Sequence, residues 1–313
     1  MAQTAETHWR KVLIVVPIVG TAVATIIYAL RLYARHMVIQ KLRVEDVFMG
    51  IGLIFTWGVA VCTVYAAFKG IGNGRTIWTL EPRERGSIAL ADWILQKFWP
   101  AAQIFVKISI ILFLRRLLDC VPSFRIYATM VIVLVVAWGI TAIVGNTFQC
   151  WPVQYYWIKH IQGDCMSGQN TFFIIIGSVS LAQDVLILCL PLPIVWKLQT
   201  PLRQKIEITL LFSIGCMYAK NPKQSKTRVL IVYRVCIFSV FRLIALREFQ
   251  TENLTGGDFS IAHSSFTLLW TILELDVAII CGCLLLMKPF FQSCIGYMRN
   301  GTTRLNSGSQ SRG

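Results

Sequence analysis

The chain has 313 residues, of which 56% are hydrophobic and only 14% charged, with a mean hydropathy of +0.62. Soluble domains carry about 25% charged residues, so this deficit, together with several apolar runs near 20 residues long, argues against a soluble enzyme or binding module and places the chain in the bilayer. A formal net charge of +15 would point to nucleic acid in a soluble protein. In a membrane chain the same cations are loop residues that set topology and meet anionic headgroups, so no nucleic-acid partner is expected.

Residues 1–11 read as a short polar segment outside the membrane. The first apolar run, Val12 to Tyr33, is too long for a signal-peptide core and lacks a small-residue cleavage site, so it reads as a retained anchor. Pro17 sits in its first turns, where proline costs little, and Gly20 and Ala24 offer a small face for close helix packing. A basic loop with Arg35, Lys41 and Arg43 leads to the second span, about Val47 to Phe68. The glycines of the following stretch, Gly70, Gly72 and Gly74, lack the flanking strand and helix of a phosphate-binding loop and read as a turn-rich connection.

The third span, about Ile88 to Leu114, carries Asp92, Lys97, Gln103 and Lys107. Gln103 and Lys107 are four apart and share a face, which must look into a bundle because a charge facing lipid costs at least ~2.5 kcal/mol. Asp92 and Lys97 lie near the outer end and can reach headgroups, and Arg115 and Arg116 close the inner end. After a fourth span, about Ile126 to Val144, comes an aromatic loop bounded by Cys150 and Cys165. Most of the ten cysteines, such as Cys62, Cys189 and Cys281, lie inside apolar runs and act as small hydrophobes. Cys150 and Cys165 are clearly outside. A disulfide between them would stabilise by ~3 kcal/mol; the alternative is two free thiols in an interfacial loop.

The stretch Thr171 to Lys205 is an apolar span with one carboxylate, Asp184, at its centre, followed by Pro191, Pro193, Trp196 and a basic exit. The sixth span begins near Ile206 and stops at Met217; it resumes at Val235. The intervening 218–234, YAKNPKQSKTRVLIVYR, opens with a polar, basic run. Joined directly, the apolar halves give one span of about 20 residues. Met-Tyr and Tyr-Arg codons permit a GTA donor and a YAG acceptor, and excision restores a single Met or Ile codon, so 218–234 reads as a retained intron or else a real insertion. The last span, about Ser265 to Met287, holds Glu274 and Asp276, which are two apart and point to different faces. Residues 12–290 thus form one membrane domain, and 291–313 a polar, disordered tail.

Counting the sixth span once gives an all-α polytopic membrane protein, a bundle of seven transmembrane helices. The connections after the first, third and fifth spans and the tail hold Arg31, Arg35, Lys41, Arg43, Arg115, Arg116, Arg125, Lys197, Arg203, Lys205, Lys288, Arg299, Arg304 and Arg312. The opposite side holds Arg10, Lys11, Lys69, Arg75, Arg83, Arg85, Lys159 and Arg247. This bias puts the N-terminus outside and the C-terminus inside. Asn253, in the sequon Asn253-Leu-Thr255, then lies outside as a glycosylation candidate, and Asn300 lies inside and stays unmodified.

Several short motifs recur in order along the chain: Arg31-Leu-Tyr33-Ala-Arg35, Glu45-Asp46, Gly70-Ile-Gly72, Lys107-Ile-Ser109 running to Arg115, Cys150-Trp-Pro152, Gly163-Asp-Cys165, Leu190-Pro191-Leu-Pro193 before Trp196-Lys197, and Glu274 with Lys288-Pro289. In these the chain resembles the fungal rhodopsin-domain integral membrane proteins, seven-helix proteins that include the receptor-like family of plant-pathogenic fungi. In that family the acidic pair is usually two aspartates, and Glu45 stands first here. The resemblance implies a receptor-like protein of unknown ligand in the plasma membrane, with a cytosolic partner at Arg115, Arg116 and the inner basic loops. A retinal pigment needs a lysine in the pocket on the last helix. That helix has none, since Lys288 lies at its inner end. No cofactor and no enzyme activity are expected, because His8, His36, His160 and His263 form no catalytic constellation with Cys or Ser.

The candidate site is a polar core of Lys107, Asp184, Arg242 and Glu274 or Asp276, with Lys107 and Arg242 as candidate partners of Asp184. These residues either hold helix register or contact a ligand. A small-solute transporter or channel is the rival function, favoured by the intramembrane charges and the proline-broken fifth span. A non-functional product with an interrupted sixth span is the third reading.

Overall fold

The computed structural model describes residues 2–39, 42–71, 81–118, 122–190 and 267–284. Six helices there are long and apolar enough to cross a membrane: α1 (Ala2–Ile39), α2 (Val44–Phe68), α3 (Pro82–Leu117), α4 (Pro122–Thr147), α5 (Gln169–Cys189) and α6 (Thr267–Leu284). The chain is therefore a mostly helical, multi-pass membrane protein. α6 is the last span read from the sequence. The sixth expected span, with 218–234, Arg242 and Asn253, lies outside the described residues, as do Pro191, Pro193, Asn300 and the tail.

α1 differs from the expectation at its start. It is helical from Ala2, because Ala2 to Trp9 contains neither Gly nor Pro to break the helix; its apolar portion is Arg10–Met37. α2 ends in a Schellman-type turn: Gly70 adopts φ 123°, and the Ile71 amide donates back to Ala66 O at 3.1 Å. That φ suits a residue without Cβ. Gly168, the residue before α5, also adopts a positive φ, 93°.

The architecture is not wholly helical. In the loop between α4 and α5, β1 (Cys150–Trp151) pairs antiparallel with β2 (Asp164–Cys165), placing Cys150 opposite Cys165. A 3-10 turn over Val153–Tyr156 lies between them.

Apolar side chains cover the outward faces of the helices, Ile26, Ile54 and Val133 among them, as a lipid surrounding requires. Inside, Val59, Trp99, Trp138, Ile176, Ile272 and Leu275 form one buried cluster joining α2 through α6. Ala24 packs with Met49, Val106, Ile279 and Cys283 in another. α1 and α6 approach so closely at Gly20 that a Cβ there would strike the Asp276 carboxylate.

α3 contains Pro100 in its interior. Proline has no N–H, so the carbonyl one turn earlier, at Gln96, loses its helical donor. Asn146 of α4 replaces it, donating from Nδ2 to Gln96 O at 3.1 Å. In a bilayer such a carbonyl needs a partner from within the protein, and an asparagine on the neighbouring helix provides it.

Candidate functional site

Lys107 is buried on α3 and directs its ammonium at one face of α5. Its Nζ lies 3.0 Å from Asp184 Oδ1. It also donates to Ser180 O and Ser180 Oγ at 3.0 Å each, and to Gln183 Oε1 at 3.3 Å. Ser180, Gln183 and Asp184 follow the i, i+3, i+4 spacing that puts three side chains on one helical stripe. The cation also sits 5.3 Å from the centre of the Trp138 ring on α4.

Trp138 extends this centre across the bundle. Its indole N–H donates to Ile176 O at 3.0 Å, and its ring meets Trp99 edge-on at 5.7 Å. Trp99 Nε1 in turn donates to Glu274 Oε2 on α6 at 3.2 Å. Asp184, Lys107, Trp138, Trp99 and Glu274 therefore form a continuous path from α5 through α3 and α4 to α6. Asp276 is not on this path; it faces Gly20 of α1. Arg242 lies outside the described residues.

Where α1 ends and α2 begins, a second charged cluster ties α1 to α2 and α3. Arg31 donates to Asp46 Oδ1 from Nε at 2.9 Å and from a terminal nitrogen at 2.5 Å. Arg35 reaches Asp46 Oδ2 at 3.1 Å and Glu45 Oε1 at 3.0 Å. Asp46 also accepts the Arg43 amide at 3.3 Å, closing the α2 N-terminus. The Ser109 hydroxyl of α3 donates to Glu45 O at 2.6 Å. Arg116, one of the two residues expected at a cytosolic partner, is 48% exposed and pairs with Glu45 at 3.4 Å. The Arg31/Arg35 repeat and the Glu45-Asp46 pair are visible in the sequence, but nothing local says that they meet.

The opposite end is closed by the aromatic loop between α4 and α5. Cys150 and Cys165 are disulfide-bonded. Asp92 and Lys97, which could have reached headgroups, are bonded to protein groups instead. Asp92 accepts from Tyr156 Oη and Gln96 Nε2, both at 2.7 Å. Burial first, then the Asp92 charge, push the Tyr156 phenol well above the ordinary tyrosine range, so it stays a neutral donor. Lys97 donates to Asn146 O at 2.8 Å, in the last turn of α4, and lies 3.7 Å from the Trp93 ring centre. A cation over the terminal carbonyls of a helix is favoured by the helix dipole. Trp157 of the loop packs edge-on against Trp93 at 5.3 Å. Replacing Cys150 and Cys165 with serine is expected to lower stability by about 3 kcal/mol. The check is thermal unfolding of the purified protein, with loss of the difference under reducing conditions.

Residues 30–293 match the family described as Fungal rhodopsin domain. The chain is similar to Receptor GIN3 of Arthrobotrys oligospora, 28% identical over 285 residues, covering 88% of this chain and 61% of that protein. It is also similar to polyenoic acids biosynthesis gene cluster protein Ba17b of Metarhizium anisopliae, 24% identical, covering 88% of this chain and 72% of that one. A third relative is a SAT4 family membrane protein of Emericella nidulans, 26% identical, covering 81% of this chain and 59% of that one. The chain spans less than two thirds of the first and third of these proteins. With most of its length inside the matched region, and five of its six apolar helices wholly within it, the chain belongs to the fungal rhodopsin domain family.

Proposed function

We propose that the chain is a receptor-like, seven-helix membrane protein of the plasma membrane, with no retinal and no enzyme activity. Its N-terminus lies outside and its tail inside. The Lys107–Asp184 pair and its tryptophan path to Glu274 carry this reading. They join four helices through contacts that a ligand held among them would rearrange. Similarity to a protein named Receptor GIN3 supports the receptor class. The orientation is supported by the Cys150–Cys165 disulfide, which belongs on an oxidising side of the membrane. Arg115, Arg116 and the inner basic loops are the surface for a cytosolic signalling partner, with Arg116 released from Glu45 on engagement.

Transport of a small solute is the second reading, favoured by the buried ion pair between α3 and α5. One experiment separates the two. A strain lacking the gene is complemented with the wild type or with Asp184→Asn, then screened with candidate ligands for a transcriptional response; solute flux is followed in proteoliposomes. A receptor gives a ligand response without flux, and Arg115→Ala with Arg116→Ala abolishes the response. Flux that disappears in Asp184→Asn transfers the assignment to transport. Both arms are run with and without 218–234. A transcript lacking those codons, with function only in the shorter chain, marks the segment as a retained intron; reads that all keep it end that idea.

A further inference from the structure

Asp276 stands apart from every other buried charge in the described structure. It is 2% exposed, and neither carboxylate oxygen has a hydrogen-bond partner. The Thr21 hydroxyl of α1 faces that carboxylate, is itself fully buried, and has no bond of regular geometry to any group. Buried helical threonines normally settle their hydroxyl on the carbonyl four residues earlier. Thr25, Thr56, Thr63 and Thr271 all do so, at 2.7 to 2.9 Å. Thr21 does not. Gly20 completes the arrangement, since any side chain there would displace the Asp276 carboxylate from the α1 surface.

The charge balance points the same way. Within the described spans stand one buried cation paired across helices at this level, Lys107, and the carboxylates Asp184, Glu274 and Asp276. Lys107 is engaged by Asp184. Arg31 and Arg35 are engaged by Asp46 and Glu45. Asp276 has no cation paired with it among the described residues, and an isolated ionised carboxylate is very costly in an apolar medium, so it needs a positive charge.

We propose that Asp276 and Thr21 form a binding site for a monovalent metal cation of sodium's class, with water completing its shell. Two carboxylate oxygens and a hydroxyl are hard oxygen donors, suited to such ions rather than to thiophilic metals. A single carboxylate is neutralised by a single positive charge. A divalent ion would leave one uncompensated charge in the bilayer. The site is separate from the Lys107 centre and does not depend on the receptor reading.

The test uses the purified full-length chain in detergent, unfolded by heat and followed by tryptophan fluorescence. Sodium chloride replaces N-methyl-D-glucamine chloride at constant ionic strength. The wild type should gain about 2–5 °C, saturably. Asp276→Asn should show no sodium-dependent gain, and Thr21→Val should need roughly tenfold more sodium, since it loses one charge-assisted contact. If Asp276→Asn does not fold, radioactive sodium binding to the wild type decides, with one displaceable ion per chain expected and weaker binding in Thr21→Val. No sodium effect on the wild type overturns the proposal, as does an equal effect in Asp276→Asn. So does an infrared carboxylic-acid band for Asp276 that persists in saturating sodium, which would mean that a proton holds the position.

Discussion

Replacing Asp46 with alanine is expected to cost about 3–5 kcal/mol, enough to remove most correctly folded protein from a detergent extract. The reason is the state in which it leaves Arg31. That side chain is 0% exposed and its carboxylate partner 1%. Its other contact is a long one, 3.8 Å to the Cys283 sulfur. A guanidinium cannot shed its proton to escape burial, so the loss of Asp46 strands a full charge. The same substitution removes the Arg35 contact at 3.1 Å and the bond to the Arg43 amide at the start of α2. Glu45 sits next to Asp46 and is also buried, yet Glu45→Gln should cost far less, ~1 kcal/mol or below. Arg35 keeps Asp46, and Arg116, half exposed, is solvated. The check is the monodisperse fraction on size exclusion and the unfolding temperature of both variants. A Glu45→Gln loss equal to that of Asp46→Ala would mean that Arg31 is not the group being neutralised.

The membrane spans were legible because an apolar run of about 20 residues has few other meanings. Where a span began and ended was less so. The polar residues Ala2 to Trp9 show no helical stripe, and only the absence of breakers lets α1 start there. Lys107 and Asp184 stood out because a charge inside an apolar run demands a partner, and they are 3.0 Å apart. Three features escaped for one physical reason, that they depend on which helices become neighbours. Pro100 announced a free carbonyl at Gln96, but only packing selects Asn146 to fill it. Lys97 looked like a headgroup contact until α4 ended beneath it. Tyr156 and Asp92 are 64 positions apart and meet because the loop folds over α3. The orphaned Thr21 and Asp276 were readable only as a small face on α1 and an acid on the last span.

Neutralising either member of the Lys107–Asp184 pair is expected to cost about 3–5 kcal/mol, and neutralising both far less than the sum. Lys107→Met leaves the Asp184 charge without its ammonium. Asp184→Asn leaves Lys107 with the neutral acceptors at Ser180 and Gln183, so it should be the milder of the two. In the double variant no charge remains to be solvated, and the unfolding temperature should recover at least half of the Lys107→Met loss. Purely additive losses would mean that the two groups do not sense each other, against a separation of 3.0 Å. The double variant also separates the two roles open to the pair. If the pair only holds α3 against α5, the repaired chain should respond to ligand as the wild type does. If the ammonium or the carboxylate contacts the ligand, the chain should be folded and silent. Trp99→Phe provides the intermediate case: it keeps most of the ring packing against Trp138 at 5.7 Å but loses the donor to Glu274. A response lost there while stability falls by only about 1 kcal/mol would place the coupling between α5 and α6 on the indole bridge rather than on the ion pair alone.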